Sequence, residues 1–196
     1  MEIQLSDHFT YKKLIKFVLP SIVMMIFTSI YGVVDGLFVS NFAGKTAFAA
    51  INLIMPILMG LSALGFMIGT GGSAIVAKTL GEGKEEKANE YFSMLVYVTA
   101  IGGVAVSLLG MILIRPAAVM LGAAGELLSD CVLYGRITFI SFTAFMLQNV
   151  FQSFFVTAQK PKLGLKVIIV AGVTNMVLDY LFVGRLGFGI AGAAVA

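Results

Sequence analysis

Residues 14–42 read LIKFVLPSIVMMIFTSIYGVVDGLFVSNF, an apolar run with Pro20 in its first third and Asp35 in its last. Crossing a bilayer takes about 20 predominantly apolar residues, so this run spans with some tilt to spare. A carboxylate inside such a run is expensive to keep and marks a functional site by default. The reading that follows is a helix around which other segments pack, with Asp35 as half of the chemistry and a second acid elsewhere as the other half.

The composition points the same way. Hydrophobic residues make up 59% of the 196 and charged ones 12%, where a soluble domain carries roughly a quarter charged. A soluble chain this apolar lacks the polar surface to cover itself, so the expected class is an all-α polytopic membrane protein. The net charge of +3 is no nucleic-acid signal, because the lysines flank apolar runs and form no basic face. Cys131 is the single cysteine, which excludes an internal disulfide and makes it a small packing residue. The polar start, MEIQLSDHFTYKK, has no cleavage-type pattern and is read as no removable signal. His8 in this arm has no neighbouring ligands and is read as solvated.

Hydropathy divides residues 1–196 into helices at about 14–42, 47–77, 91–114, 127–158 and 163–183, followed by the start of a sixth at 187–196. About ten residues cannot cross a bilayer, so the sixth helix is expected to be cut short. Pro56 lies inside the second helix, and Gly65 and Gly69 form a GxxxG that suits a closely packed helix face. The charged stretch 78–90, KTLGEGKEEKANE, reads as a solvated loop with a short interfacial helix. Arg115-Pro116 reads as the end of helix three. Helix four carries Tyr134, Arg136, Gln148, Asn149 and Gln152, a polar side. With a cytoplasmic N-terminus, that side receives Lys12, Lys13, Lys16, Lys78, Lys84, Lys87, Lys160, Lys162 and Lys166, and the far side only Lys45, Arg115 and Arg185. This positive-inside bias sets the expected orientation in the cell membrane.

Of ten acidic residues, only Asp35 and Asp179 lie well inside apolar runs. At 1.5 Å per residue, Asp35 is ~28 Å beyond Lys16 and Asp179 ~20 Å beyond Lys166. Both therefore fall in the outer half of the membrane and can share one cavity. Asn175 precedes Asp179 by four residues and projects from the same helix face. An amide oxygen beside a carboxylate can coordinate a small hard cation or orient a protonated acid. Acids held away from water and close together share a proton in preference to both ionising. Such a pair can exchange H⁺, or swap it for Na⁺. No other metal site and no cofactor is expected. Two decoys are set aside: Gly81-x-Gly83 lacks the spacing of a phosphate loop, and the GxGxxG at Gly187, Gly189 and Gly192 has no acid after it. An intramembrane aspartyl protease would need acids in YD and GxGD contexts, and neither Gly32-Val-Val-Asp35 nor Leu178-Asp179-Tyr180 matches. The chain is read as a transporter and not as an enzyme, with the intramembrane aspartyl protease kept as a third and lesser alternative.

Pro20 with Asp35 fifteen residues on, the segment GTGGSAIVAKTLGEGKEEKA, the QKPK turn, NMVLDYLFV and GFGIAGAAVA together resemble the MATE (multidrug and toxic compound extrusion) family. The resemblance covers essentially the whole chain, with its motifs in order. It implies the N-terminal six-helix lobe of a twelve-helix, two-lobe antiporter, whose C-terminal lobe would be this chain's partner. By motif, Asp35, Asn175 and Asp179 correspond to the coupling site for H⁺ or Na⁺, and Tyr134, Asn149 and Gln152 to residues lining the same cavity. The implied activity is alternating-access export of bulky cationic or amphipathic compounds, with Pro20 as a bend point or a static kink. The alternative within the same superfamily is a lipid-linked precursor flippase, which would be expected to need a basic cavity. Arg136 is the basic residue within a span. Eleven methionines and sixteen phenylalanines suit adaptable binding, but equally suit contact with lipid.

Overall fold

A computed structural model of the chain describes residues 11–158 and 160–196. The N-terminal arm with His8, and Gln159 of the QKPK turn, lie outside the described residues. Among the described residues six α-helices follow one another: α1 (Tyr11–Phe38), α2 (Lys45–Gly81), α3 (Glu85–Met120), α4 (Gly125–Thr157), α5 (Pro161–Asp179) and α6 (Gly189–Val195). α1 and α5 both pass into π-helical turns, Val39–Ala43 and Tyr180–Arg185. There is no strand among the described residues. Among the described residues, five segments are long and apolar enough to cross a membrane, Val18–Ala43 and Lys162–Arg185 among them.

The body is a bundle of three mutually packed helices, α4 against both α2 and α3, and α2 against α3, where Gly72 meets Leu95. In lipid the hydrophobic effect cannot drive helices together, so close packing and hydrogen bonds must do so. The GxxxG of α2 provides the first. Gly65 lies against the backbone of Met146, and a Cβ at Gly69 would stand 3.0 Å from the Cα of Val150. Across α4, Gly110 of α3 receives the ring of Phe139, and Gly135 of α4 receives Ile114. One turn beyond Gly110 the same seam holds a hydroxyl pair, Ser107 to Thr143 at 3.1 Å. Phe139, Phe142, Met146, Ile54 and Ile114 fill the centre, and Cys131 is buried there as a packing residue. α1 and α5 form a second unit, packed chiefly on each other, and α6 closes against α4.

The helix ends depart from the expected bounds. The stretch 78–90 is not a loop: α2 runs to Gly81 and α3 starts at Glu85, so the connection is Glu82–Lys84 alone, with Gly83 at φ +74. Glu85 and Glu86 in the first turn of α3 and Lys78 in the last turn of α2 complement the helix dipoles. Their charge belongs to helix ends that outrun the bilayer. α3 likewise continues through Arg115-Pro116 to Met120. A proline costs one backbone bond near a helix end, and the turns on either side hold. The first turn is tighter than 43–46, since Gly44 alone (φ +98) separates the π turn from α2. α4 starts at Gly125 and α5 at Pro161, each two residues ahead of expectation.

Candidate functional site

The site is built on the seam between α1 and α5. Gly172 lets α1 come close, for a Cβ there would meet Phe27 at 2.6 Å and Tyr31 at 3.2 Å. This contact fixes the register. Four residues beyond Tyr31 comes Asp35, and seven beyond Gly172, two helical turns, comes Asp179. Their carboxyl groups face each other across the seam. Asp179 is fully buried and Asp35 half-buried. Neither oxygen of Asp179 has a hydrogen-bond partner, and the buried amide oxygen of Asn175 has none either.

The orphaned atoms are all acceptors, and that decides what fits. A buried acceptor without a donor is costly, so the set calls for an electron-poor guest. A proton shared between the carboxyls satisfies it, and so does a small hard cation with oxygen ligands such as Na⁺. No cluster of three or more His, Cys, Asp or Glu that would hold a transition metal occurs among the described residues.

Tyr134 of α4 joins this pair, its phenol lying in the field of both carboxyls. Asn149 and Gln152 do not. They follow Tyr134 by 15 and 18 residues, ~22 and ~27 Å further along α4. Asn149 is buried at the α2–α4 seam, its carbonyl near Gly69 and its Nδ2 unpartnered. The motif correspondence placed these residues on a helix face but carried no information about depth. Pro20 is half-buried and α1 continues helically through it. Arg136 is exposed, two residues from Tyr134 and so ~200° round the helix, away from the acids.

From Asp35 a cavity of about 410 Å³ opens between α1 and α2, lined also by Ser40, Phe48, Ile51, Asn52 and Met55. Ser40 and Asn52 are additions to the site read from sequence. Asn52 interrupts an apolar run, the one sequence signal that could have found it. Cavities of this size, mostly apolar with a few placed polar groups, suit small organic molecules.

The family model MatE matches residues 20–181. The chain is a member of the MatE family. Multidrug export protein MepA of Staphylococcus saprophyticus is 26% identical to it over 185 residues, 94% of this chain and 41% of the relative. MepA of Staphylococcus aureus strain N315 is 24% identical over 189 residues. The chain thus spans about two-fifths of the length of the curated relatives it matches. Among solved structures, MATE crystal structures in the straight and bent conformations both give a TM-score of 0.85, at 26% and 27% identity. They cover 92% and 93% of this MatE chain, and 40% and 41% of their own. A MOP superfamily transporter from Pyrococcus furiosus, described as having reversed polarity in its binding pocket, gives 0.86 at 27% identity and covers 93% of this chain.

Proposed function

We infer that this chain is the N-terminal lobe of a secondary antiporter that exports bulky cationic or amphipathic compounds in exchange for H⁺ or Na⁺ by alternating access. The observation that carries the reading is Asp35 at the wall of the α1–α2 cavity, paired with Asp179, whose buried oxygens, like that of Asn175, have no hydrogen-bond partner. An amphipathic cation in that cavity would set its apolar body on Phe48, Ile51 and Met55 and its charge toward Asp35. Neutralising the carboxyl pair by a proton or Na⁺ removes that attraction. Ion and substrate then compete for one charge, which is the differential interaction an exchange cycle needs. The lobe would sit in the cell membrane with its N-terminus in the cytoplasm, working against a second lobe. The flippase alternative gains nothing from the cavity, since Arg136 faces away from it.

The test is ion-driven efflux of ethidium from vesicles carrying the full-length protein. Asp35→Asn is expected to abolish efflux under both H⁺ and Na⁺ gradients. Efflux at the unsubstituted rate from well-expressed variant protein would end the coupling role.

A further inference from the structure

Arg115 and Arg136 play no part in the acid site, and both are exposed on helices that cross the membrane. The register of the α3–α4 seam brings them together. Gly110 meets Phe139 and Ile114 meets Gly135, so in this antiparallel pair the residue level with Arg115 is Tyr134, two positions from Arg136. The two Cα atoms therefore differ in depth by only ~3 Å. They also share a side. Each arginine directly follows an interface residue, and in antiparallel helices a step of 100° from the seam turns both toward the same flank.

No carboxylate occupies that flank. Glu126 and Asp130 lie nine and five residues before Gly135, which at 100° per residue puts both on the far side of α4 from α3's exposed face. Among the described residues neither arginine forms an ion pair. The neighbours on the flank are aliphatic: Leu108 (55% exposed) and Ile112 (72%) of α3, and Ile140 (72%) of α4.

Depth identifies the layer. α3 has 36 residues, about 54 Å against a hydrocarbon core of about 30 Å, so it overhangs by about 12 Å per side when centred. Arg115 lies about 8 Å from the end of α3, and Arg136, level with Leu113 in the seam register, lies ~3 Å deeper. The pair therefore sits at the border between hydrocarbon and headgroups, where long basic side chains reach the phosphate layer. Guanidinium groups bind phosphate through paired N–H donors, and two of them together suit one phosphate ester.

We propose that Arg115 and Arg136 form a docking site for the phosphate of an anionic phospholipid, its acyl chains lying over Leu108, Ile112 and Ile140. The site is at the depth of the acid pair but on the opposite side of α4, so it stands whether or not Asp35 couples ions.

The test titrates the purified protein, in detergent micelles doped with phosphatidylcholine, with phosphatidylglycerol and counts retained lipids by native mass spectrometry. The unsubstituted protein should retain a phosphatidylglycerol that the Arg115→Gln/Arg136→Gln variant binds about tenfold more weakly. The Arg115→Lys/Arg136→Lys variant keeps the charge but loses the fork, and should lose about half of that gain on a logarithmic scale. Lys78→Gln/Lys84→Gln/Lys87→Gln, at the other end of the bundle, should bind as before. Unchanged retention in the Gln variant overturns the proposal. So does full displacement of the lipid by millimolar inorganic phosphate, which would make the pair an anion site only. Helix content and elution volume establish that each variant is folded, and the lysine variant keeps the test decisive if the glutamine one is not.

Discussion

At Asp179 a carboxyl group is enclosed by protein with no donor on either oxygen. Such a group lowers stability, and an ionisable residue inside a membrane span marks a functional site by default. Asp179→Asn should therefore separate the two: unfolding stability within about 1 kcal/mol of the parent or above it, with gradient-driven dye efflux lost. Melting of the purified protein and efflux from vesicles measure the two halves. Asn52→Leu should act on substrate and not on coupling, raising the KM for a cationic dye several-fold while leaving kcat nearly unchanged. The acids were legible in the sequence because charge inside an apolar run has no bland explanation. Asn52 and Ser40 were not, because each spends its side chain on its own helix, Asn52 Nδ2 donating to the Phe48 carbonyl at 2.8 Å and Ser40 Oγ to that of Leu37 at 3.2 Å. Polar residues satisfied this way look like filler until a neighbouring helix builds a cavity beside them. Asn149 and Gln152 lie ~22 and ~27 Å further along α4 than Tyr134, because polarity along a helix reports a face and is silent on depth.

The helices pack through glycines, and glycines on different sides of one helix should behave oppositely. Gly110→Ala would push a methyl group into the Phe139 ring and should cost about 1–3 kcal/mol. Gly102→Ala on the same helix meets nothing within 4 Å and should gain up to about 1 kcal/mol from helix propensity. Unfolding of detergent-solubilised protein in increasing SDS compares them directly. The sequence showed these helices by their apolar length and showed their ends poorly. Lys78, Lys84, Glu85, Glu86 and Lys87 are charged because α2 and α3 run beyond the bilayer, and from composition alone a solvated helix end and a solvated loop are alike. Pro116 misled for a related reason: in the last turns of a long helix its lost hydrogen bond is too small a defect to end the helix.

On the scale of the molecule, a glycine-locked body of α2, α3 and α4 carries a flank of α1 and α5 joined mainly to itself. Only 11% of the most apolar window of the first span is buried, against 28% for α2 and α3 and 33% for α4. Amide hydrogens of α1 and α5 should exchange earlier than those of α2–α4 at the same depth, as read by hydrogen–deuterium exchange in detergent. Equal protection would mean that the flank is as fixed as the body. The two carboxyl groups both belong to this flank, and each precedes a π-helical turn. A π turn bonds each N–H to the carbonyl five residues back, so it holds one residue beyond what an α-helix needs for the same advance. The chain therefore has slack at Val39–Ala43 and Tyr180–Arg185. Loss of one residue there can be absorbed by tightening to ordinary helix, leaving the acids and the following turns where they were. The same loss inside α4 would swing Tyr134 away from the glycine seams by ~100°. Length variation in this fold is thus permitted beside the site and forbidden behind it.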